Sequence, residues 1–370
     1  MKDPSILLNE RMARIQTAVA LGKTDRVPVV LFADEFCANH LGVKMSEFNT
    51  NPPLATKTMI ESLTSLGEFD GTERLTAASH TLSLSGLSPV KIAGRDLPEG
   101  TPCQMDEHGT MTLEDYDTIL NKGWQPVFND IICNRMPDKE LPMHIQEILD
   151  YQPQAMQEWV SKGIVPFCPV FTVPAFEALV GGRTLAGLTK DIFRMPDKLE
   201  AVIKVIQDET IESLRPRIRA VKPFAVFIAA ARGASEFFRP KTFDRFVWPC
   251  FKKLADMILE EGSILYIHCD ANWERDLDHF LELPKGKCVI SSDSATSIYK
   301  MKEKLDGHMC LMGDTPASLL ALGTPDDVFK HCTRIIKDIG PGYILSQSCS
   351  VPANAKPENV AAMMAAATGN

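Results

Sequence analysis

One histidine, one carboxylate and one cysteine stand out by type and position. The stretch Ser263 to Asp276, SILYIHCDANWERD, sets His268, Cys269 and Asp270 at the end of the apolar, β-branched run Ile264 to Ile267. Such a run forms a strand buried on both faces. Side chains alternate along a strand, so His268 and Asp270 project to one side and Cys269 to the other, toward a packing layer. Cys349, in SQSCSVPANAKPEN, follows another short apolar run. Together they offer one nitrogen, one oxygen and one sulfur to Zn²⁺, and catalytic zinc sites use three protein ligands with a fourth position left open. Each part also has a plainer reading. A His-x-Asp is equally a hydrogen-bonded core pair, and a single cysteine is a small inert residue. Their combination at one rim favours the metal.

For the three to meet, two strands must open onto a shared mouth. Apolar runs recur at Val27–Ala33, Glu73–Ser79, Ile164–Phe171, Phe224–Ala230, Ile264–His268, Cys288–Ser291, His308–Met312 and Tyr343–Ser346. Helical segments lie between most of them: about Pro53–Leu66, Pro196–Val221 (interrupted by Pro216), Thr242–Glu261, Trp273–Leu281, Ser297–Leu305, Thr324–Ile339 and Pro357–Ala367. Strand–helix alternation implies a parallel sheet, and eight units imply closure into an α/β (β/α)8 TIM barrel. A doubly wound open sheet is the alternative, but no Gly-x-Gly-x-x-Gly follows any strand. An N-terminal helix, Pro4–Leu21, precedes the first strand. From Leu82 to Gln152 the pattern breaks into loops and small strands, with helical pieces at Glu114–Asn121 and Met143–Leu149. We read residues 1–370 as one barrel domain with 82–152 inserted as a cap, serving either as a lid or as the contact of a homodimer.

The barrel predicts that functional groups gather after the strands. The residues there are Asp34 and Glu35, His80, Phe171, Thr172 and Phe176, Arg232 and Glu236, His268 and Asp270, Asp293, Asp314, and Cys349. Asp293 and Asp314 precede helical segments and read as N-caps. Phe36, Phe171 and Trp273 are candidates to hold an aromatic ring, or ordinary packing residues. His80, Arg232 and Glu236 are candidates for a ring hydroxyl or carboxylate.

Composition narrows the classes. The chain is 45% hydrophobic and 24% charged, ordinary for a globular protein, and its net charge of −9 with no basic tract argues against a nucleic-acid surface. The longest apolar runs are strand-length, too short for a bilayer. The segment MKDPSILLNERMARIQ reads as a capped helix without a signal-peptide core, so the ten scattered cysteines are expected to be reduced thiols of a cytoplasmic protein.

The chain resembles the uroporphyrinogen decarboxylase superfamily, and within it the corrinoid-dependent methyltransferases. The resemblance rests on Glu10-Arg11 with Thr24-Asp25-Arg26-Val27-Pro28, on Gly313-Asp314-Thr315-Pro316 with Leu322-Gly323-Thr324-Pro325, and on Cys349 with Lys356-Pro357-Glu358-Asn359-Val360. The stretch from His268 to Asp276, followed by Glu282-Leu-Pro-Lys-Gly-Lys-Cys, resembles the first methyltransferases of O-demethylase systems in anaerobic bacteria. That resemblance implies Zn²⁺ and transfer of methyl from a small aromatic methyl ether, of vanillate or guaiacol type, to the Co(I) corrinoid (cobalamin) of a separate corrinoid protein. Members that methylate coenzyme M carry His-x-Cys where this chain has Asp270. A carboxylate in place of a thiolate leaves a harder Lewis acid, suited to an oxygen-bearing substrate rather than a thiol. The decarboxylases proper hold a polycarboxylate with arginines near the end of strand one; here Phe32 to His40 is acidic and aromatic, which argues against that activity. The alternatives are a methylamine, methanol-type or thiol substrate, or a barrel that binds without turnover.

Overall fold

The structure, a computed structural model, describes residues 2–77 and 79–369. The strands are β1 (Val30–Leu31), β2 (Gly71–Thr72), β3 in two pieces (Val165–Pro166 and Val170–Thr172), β4 (Ala225–Ala230), β5 (Ile264–Cys269), β6 (Cys288–Ser292), β7 (Cys310–Thr315) and β8 (Tyr343–Gln347). Neighbours pair in parallel, β1 to β2 to the first piece of β3, then from the second piece of β3 in order to β8. Two further links close the ring. Phe167, in the gap within β3, donates to Thr72 O and accepts from Ala225 N, both at 2.9 Å. Val29 bridges Leu345 in parallel, and Leu345 N donates to Pro28 O at 2.9 Å. The expected (β/α)8 barrel is what forms, because the apolar runs can be buried only between a filled lumen and a helical coat.

The lumen floor packs Val30, Phe167, Tyr266, Val289, Met312 and Ile344 against Ile15, Ala18 and Val19 of the N-terminal helix, Pro4–Val19. That helix stoppers the end of the barrel where strands begin. A buried carboxylate fastens it: Asp70, fully buried, accepts from Arg14 at 2.5 Å, Arg26 at 2.7 Å and the backbone of Val29 at 2.8 Å.

Several expectations change. Pairing of β2 stops at Thr72, whose hydroxyl turns the chain by donating to Arg74 O, so 73–77 is bent rather than extended. Ala78, within the expected strand, lies outside the described residues. Pro196–Val221 is one continuous helix despite Pro216, carried through by the buried Leu214 and Ile218 flanking it. The 242–261 segment is divided by a π-helical turn at Phe243–Val247. Trp273–Leu281 is a loop and a short 3-10 helix, Leu277–Glu282, because the Trp273 indole is pinned back to Asp270 O at 2.7 Å. Neither Asp293 nor Asp314 caps a helix: the following helices start after Ser297 and Pro316. Asp293 instead accepts from Ala271 N and Ala295 N, and Asp314 from the Ser294 hydroxyl, tying loops together. The expected boundary at Gln152 falls inside a helix, Leu141–Val160, which leads into β3. Among the described residues no helix is long and apolar enough to cross a membrane.

Candidate metal centre

His268 leaves β5 pointing into the mouth, with its Nδ1 at 2.8 Å from Ser291 Oγ on β6 and its Nε2 at 3.2 Å from Asp270 Oδ1. Cys349 arrives from the loop after β8. One ligand atom from each of His268, Asp270 and Cys349 lies within 4.8 Å of the others. Cys269 is fully buried in the outer helical layer, as strand parity requires. The turn beyond is held in place: Asp270 N donates to Ala230 O, and Ala271 takes a left-handed φ of 70°. The Cys349 loop is anchored to the first strand, where Gln347 Oε1 accepts from Phe32 N at 3.1 Å and Val351 N donates to Phe32 O at 2.9 Å.

The electrostatics fit a cation. Burial opposes charge on His268, yet hydrogen bonds to Asp270 and Cys349 outweigh it and push its pKa well above the usual imidazole value. Two electron-rich groups beside one imidazole favour its protonated form, and they would hold a divalent ion in the proton's place. His268 is nearly buried while the Asp270 side chain is 43% exposed, so the cluster faces the mouth. A nitrogen, an oxygen and a sulfur at this separation fit Zn²⁺, with a further position free.

Behind the imidazole lies a chain of polar groups with no local signature in the sequence. Tyr266 Oη is 3.0 Å from Ser291 Oγ and donates to Glu73 Oε2 at 3.1 Å. Glu73 Oε1 accepts from Gln347 Nε2 at 3.3 Å. Burial pushes the Glu73 carboxyl up to about 7, against the opposing influence of His268 and Arg74. Phe227, partly buried on β4, lies face-on to His268 at 6.1 Å and also touches Phe171 at 6.4 Å. Arg74 stacks over Phe32 at 4.7 Å, with no carboxylate hydrogen-bonded to it among the described residues. Alternation along β4 and β5 is the signal that would have found Phe227; Glu73 and Arg74 sit in a bend that no periodicity marks.

Of the other expected residues, Phe171 borders this aromatic row. Phe36, 1% exposed, stacks on His40, and Trp273, also 1% exposed, packs edge-on to Phe243; neither offers an open ring face. His80 is buried beneath the 82–152 segment, its ring 4.5 Å from His144 and its Nδ1 unpartnered, and burial lowers its pKa to about 4. Arg232 pairs with Glu107 at 3.4 Å, and Glu236 accepts from Asn272 N at 2.7 Å. The structure therefore brings together His268, Asp270 and Cys349, sets Phe171 one ring away behind Phe227, and gives the remaining five other contacts.

No curated protein sequence matches the chain. Among solved structures, a methyltransferase from Methanosarcina mazei superposes with a TM-score of 0.70 at 15% identity, covering 96% of this chain and 97% of that one. At that identity the likeness is one of fold. The sequence pattern of the family described as Uroporphyrinogen decarboxylase (URO-D) matches residues 170–369, from the second piece of β3 through the C-terminal helix that carries the last of the barrel. This stretch exceeds half the chain and contains all three residues of the cluster, and the protein belongs to the uroporphyrinogen decarboxylase (URO-D) family.

Proposed function

We propose that this chain is a zinc-dependent methyltransferase that moves the methyl group of a small aromatic methyl ether to the Co(I) corrinoid of a separate protein, releasing a phenol. The observation that carries the reading is the convergence of His268, Asp270 and Cys349 to within 4.8 Å at the open end of the barrel. Zn²⁺ held by these three groups supplies Lewis acidity, which an aryl ether needs because phenolate is a poor leaving group. The protein's own side chains do the rest. Asp270, rather than a second thiolate, keeps the donor set hard and suited to an ether oxygen. Phe227 and Phe171 form an aromatic wall beside His268 where the substrate ring can lie. Arg74, stacked but without a bonded carboxylate, suits an anionic ring substituent better than Arg232, which Glu107 already engages. The 82–152 segment sits over the same end and serves as a cap that limits water.

The test has two arms. Metal analysis of the purified protein is expected to find one zinc per chain. A panel of aryl methyl ethers, methylamines and methanol, offered with free Co(I) corrinoid, is expected to give the methyl-Co(III) spectrum only with the ethers. A zinc-free protein, or turnover of amines alone, overturns the proposal.

A further inference from the structure

The three expected ligands explain neither Ser291, Tyr266 nor Glu73, yet these form an unbroken line of hydrogen bonds away from His268, contributed by β6, β5 and the bend after β2. All three are buried, and Glu73 is 193 positions from Tyr266, so the line exists only in the folded barrel. We propose that Glu73 is a positioning residue for His268: through the hydroxyls of Tyr266 and Ser291 it holds the imidazole as the Nδ1–H tautomer, leaving the Nε2 lone pair for an ion between Asp270 and Cys349.

The argument is one of hydrogen-bond direction. An ionised carboxylate only accepts, and each hydroxyl has one proton to give. Tyr266 donates its hydroxyl hydrogen bond to Glu73, so the Tyr266 oxygen must accept from Ser291. Ser291 has then spent its proton, and its oxygen can only accept from His268 Nδ1–H at 2.8 Å. The other carboxylate oxygen is committed too. Phe32 N donates to Gln347 Oε1, which fixes the amide so that its nitrogen faces Glu73. Reversing the line would make Ser291 the donor to Nδ1, move the imidazole proton to Nε2 and close that nitrogen to a metal. Groups that orient a ligating histidine in this way typically change metal affinity by roughly 10–100-fold when removed.

The inference rests on the metal reading above, and two measurements separate their failures. Zinc affinity of the full-length protein is measured by chelator competition at about pH 8, for wild type and for Glu73→Gln, Tyr266→Phe, Ser291→Ala and Ser291→Thr. The expected result is a loss of roughly tenfold or more in the first three variants and recovery in Ser291→Thr, which keeps a hydroxyl. In the metal-free protein Asp270 competes for the proton at Nε2, so long-range 1H–15N spectra of histidine-labelled protein, taken above the pH at which His268 loses its charge, should show a larger Nδ1–H population in wild type than in Tyr266→Phe. Unchanged affinity and tautomer in both Tyr266→Phe and Ser291→Ala overturn the proposal, even if Glu73→Gln does not fold. A wild type that binds no zinc but keeps the larger Nδ1–H population, reduced in Tyr266→Phe, overturns the metal reading and leaves the positioning role of Glu73 supported.

Discussion

At the scale of single residues, His268→Ala and Cys349→Ala are expected to lose zinc and methyl transfer together, checked by metal content and by the Co(I) assay. Full activity in a metal-free variant would refute their role. Glu73 gives a second expectation through pH. Its carboxyl has an ordinary value of 4.5, and burial raises it to about 7 in the folded, metal-free protein. A raised carboxyl binds its proton more tightly when folded, so stability is fully present below the unfolded value. It falls as pH rises toward and through the folded one, by about 3 kcal/mol in all. Urea denaturation of the metal-free protein at about pH 5 and about pH 8 should show that decline, and Glu73→Gln should flatten it. A slope unchanged in the variant would assign it to other groups. The cluster of His268 and Asp270 was legible in the sequence because strand parity separates them from Cys269. Glu73 was not, since one glutamate after a two-residue strand resembles any surface carboxylate.

At the scale of elements, the barrel could be read because β4 to β8 are apolar runs that need burial on both faces. The first two strands were harder. β1 and β2 each pair over two residues, and the chain beyond β2 is held by side-chain hydrogen bonds instead of a ladder. The geometry of the barrel floor depends on Asp70, which joins the N-terminal helix to the segments entering β1 and β2 through Arg14, Arg26 and Val29 N. Asp70→Asn takes from the part-buried Arg26 the only carboxylate paired with it among the described residues and leaves Arg14 with Asp25 alone, and is expected to cost about 3 kcal/mol, measured by denaturant unfolding. A cost under about 1 kcal/mol would place the pair among solvated ion pairs of little worth. The Thr24-to-Pro28 segment thus has a structural account: Asp25 takes Arg14 at 2.7 Å while Arg26 reaches Asp70.

At the scale of the whole molecule, the 82–152 segment is fastened to the barrel at several separate points. Glu35 accepts from Cys103 N at 2.9 Å, Gly182 O accepts from Thr110 N and Met111 N, and Glu209 accepts from Trp124 N and Gln125 N. The tightest is a glycine pair. A Cβ at Gly181 would meet the carbonyl oxygen of Gly86 at 1.7 Å, a clash with backbone that no rotamer relieves. Gly181→Ala is therefore expected to push the segment off the barrel, seen as faster proteolysis within 87–105 and a lower Tm; an unchanged cleavage pattern would show that the helices shift to accommodate it. The sequence hinted at this segment only by its broken patterning, since its contacts are long-range and its elements short. The barrel's seam, where Val29 meets Leu345 and Ser346 Oγ donates to Val30 O across 316 positions, has a kinetic meaning. The Cys349 loop is fastened to Phe32 only once the first and last strands have found each other, the slowest kind of encounter for a chain to complete. On the proposed ligand set, zinc uptake during refolding should consequently lag every local signal, which would make the metal a clock for the finished ring.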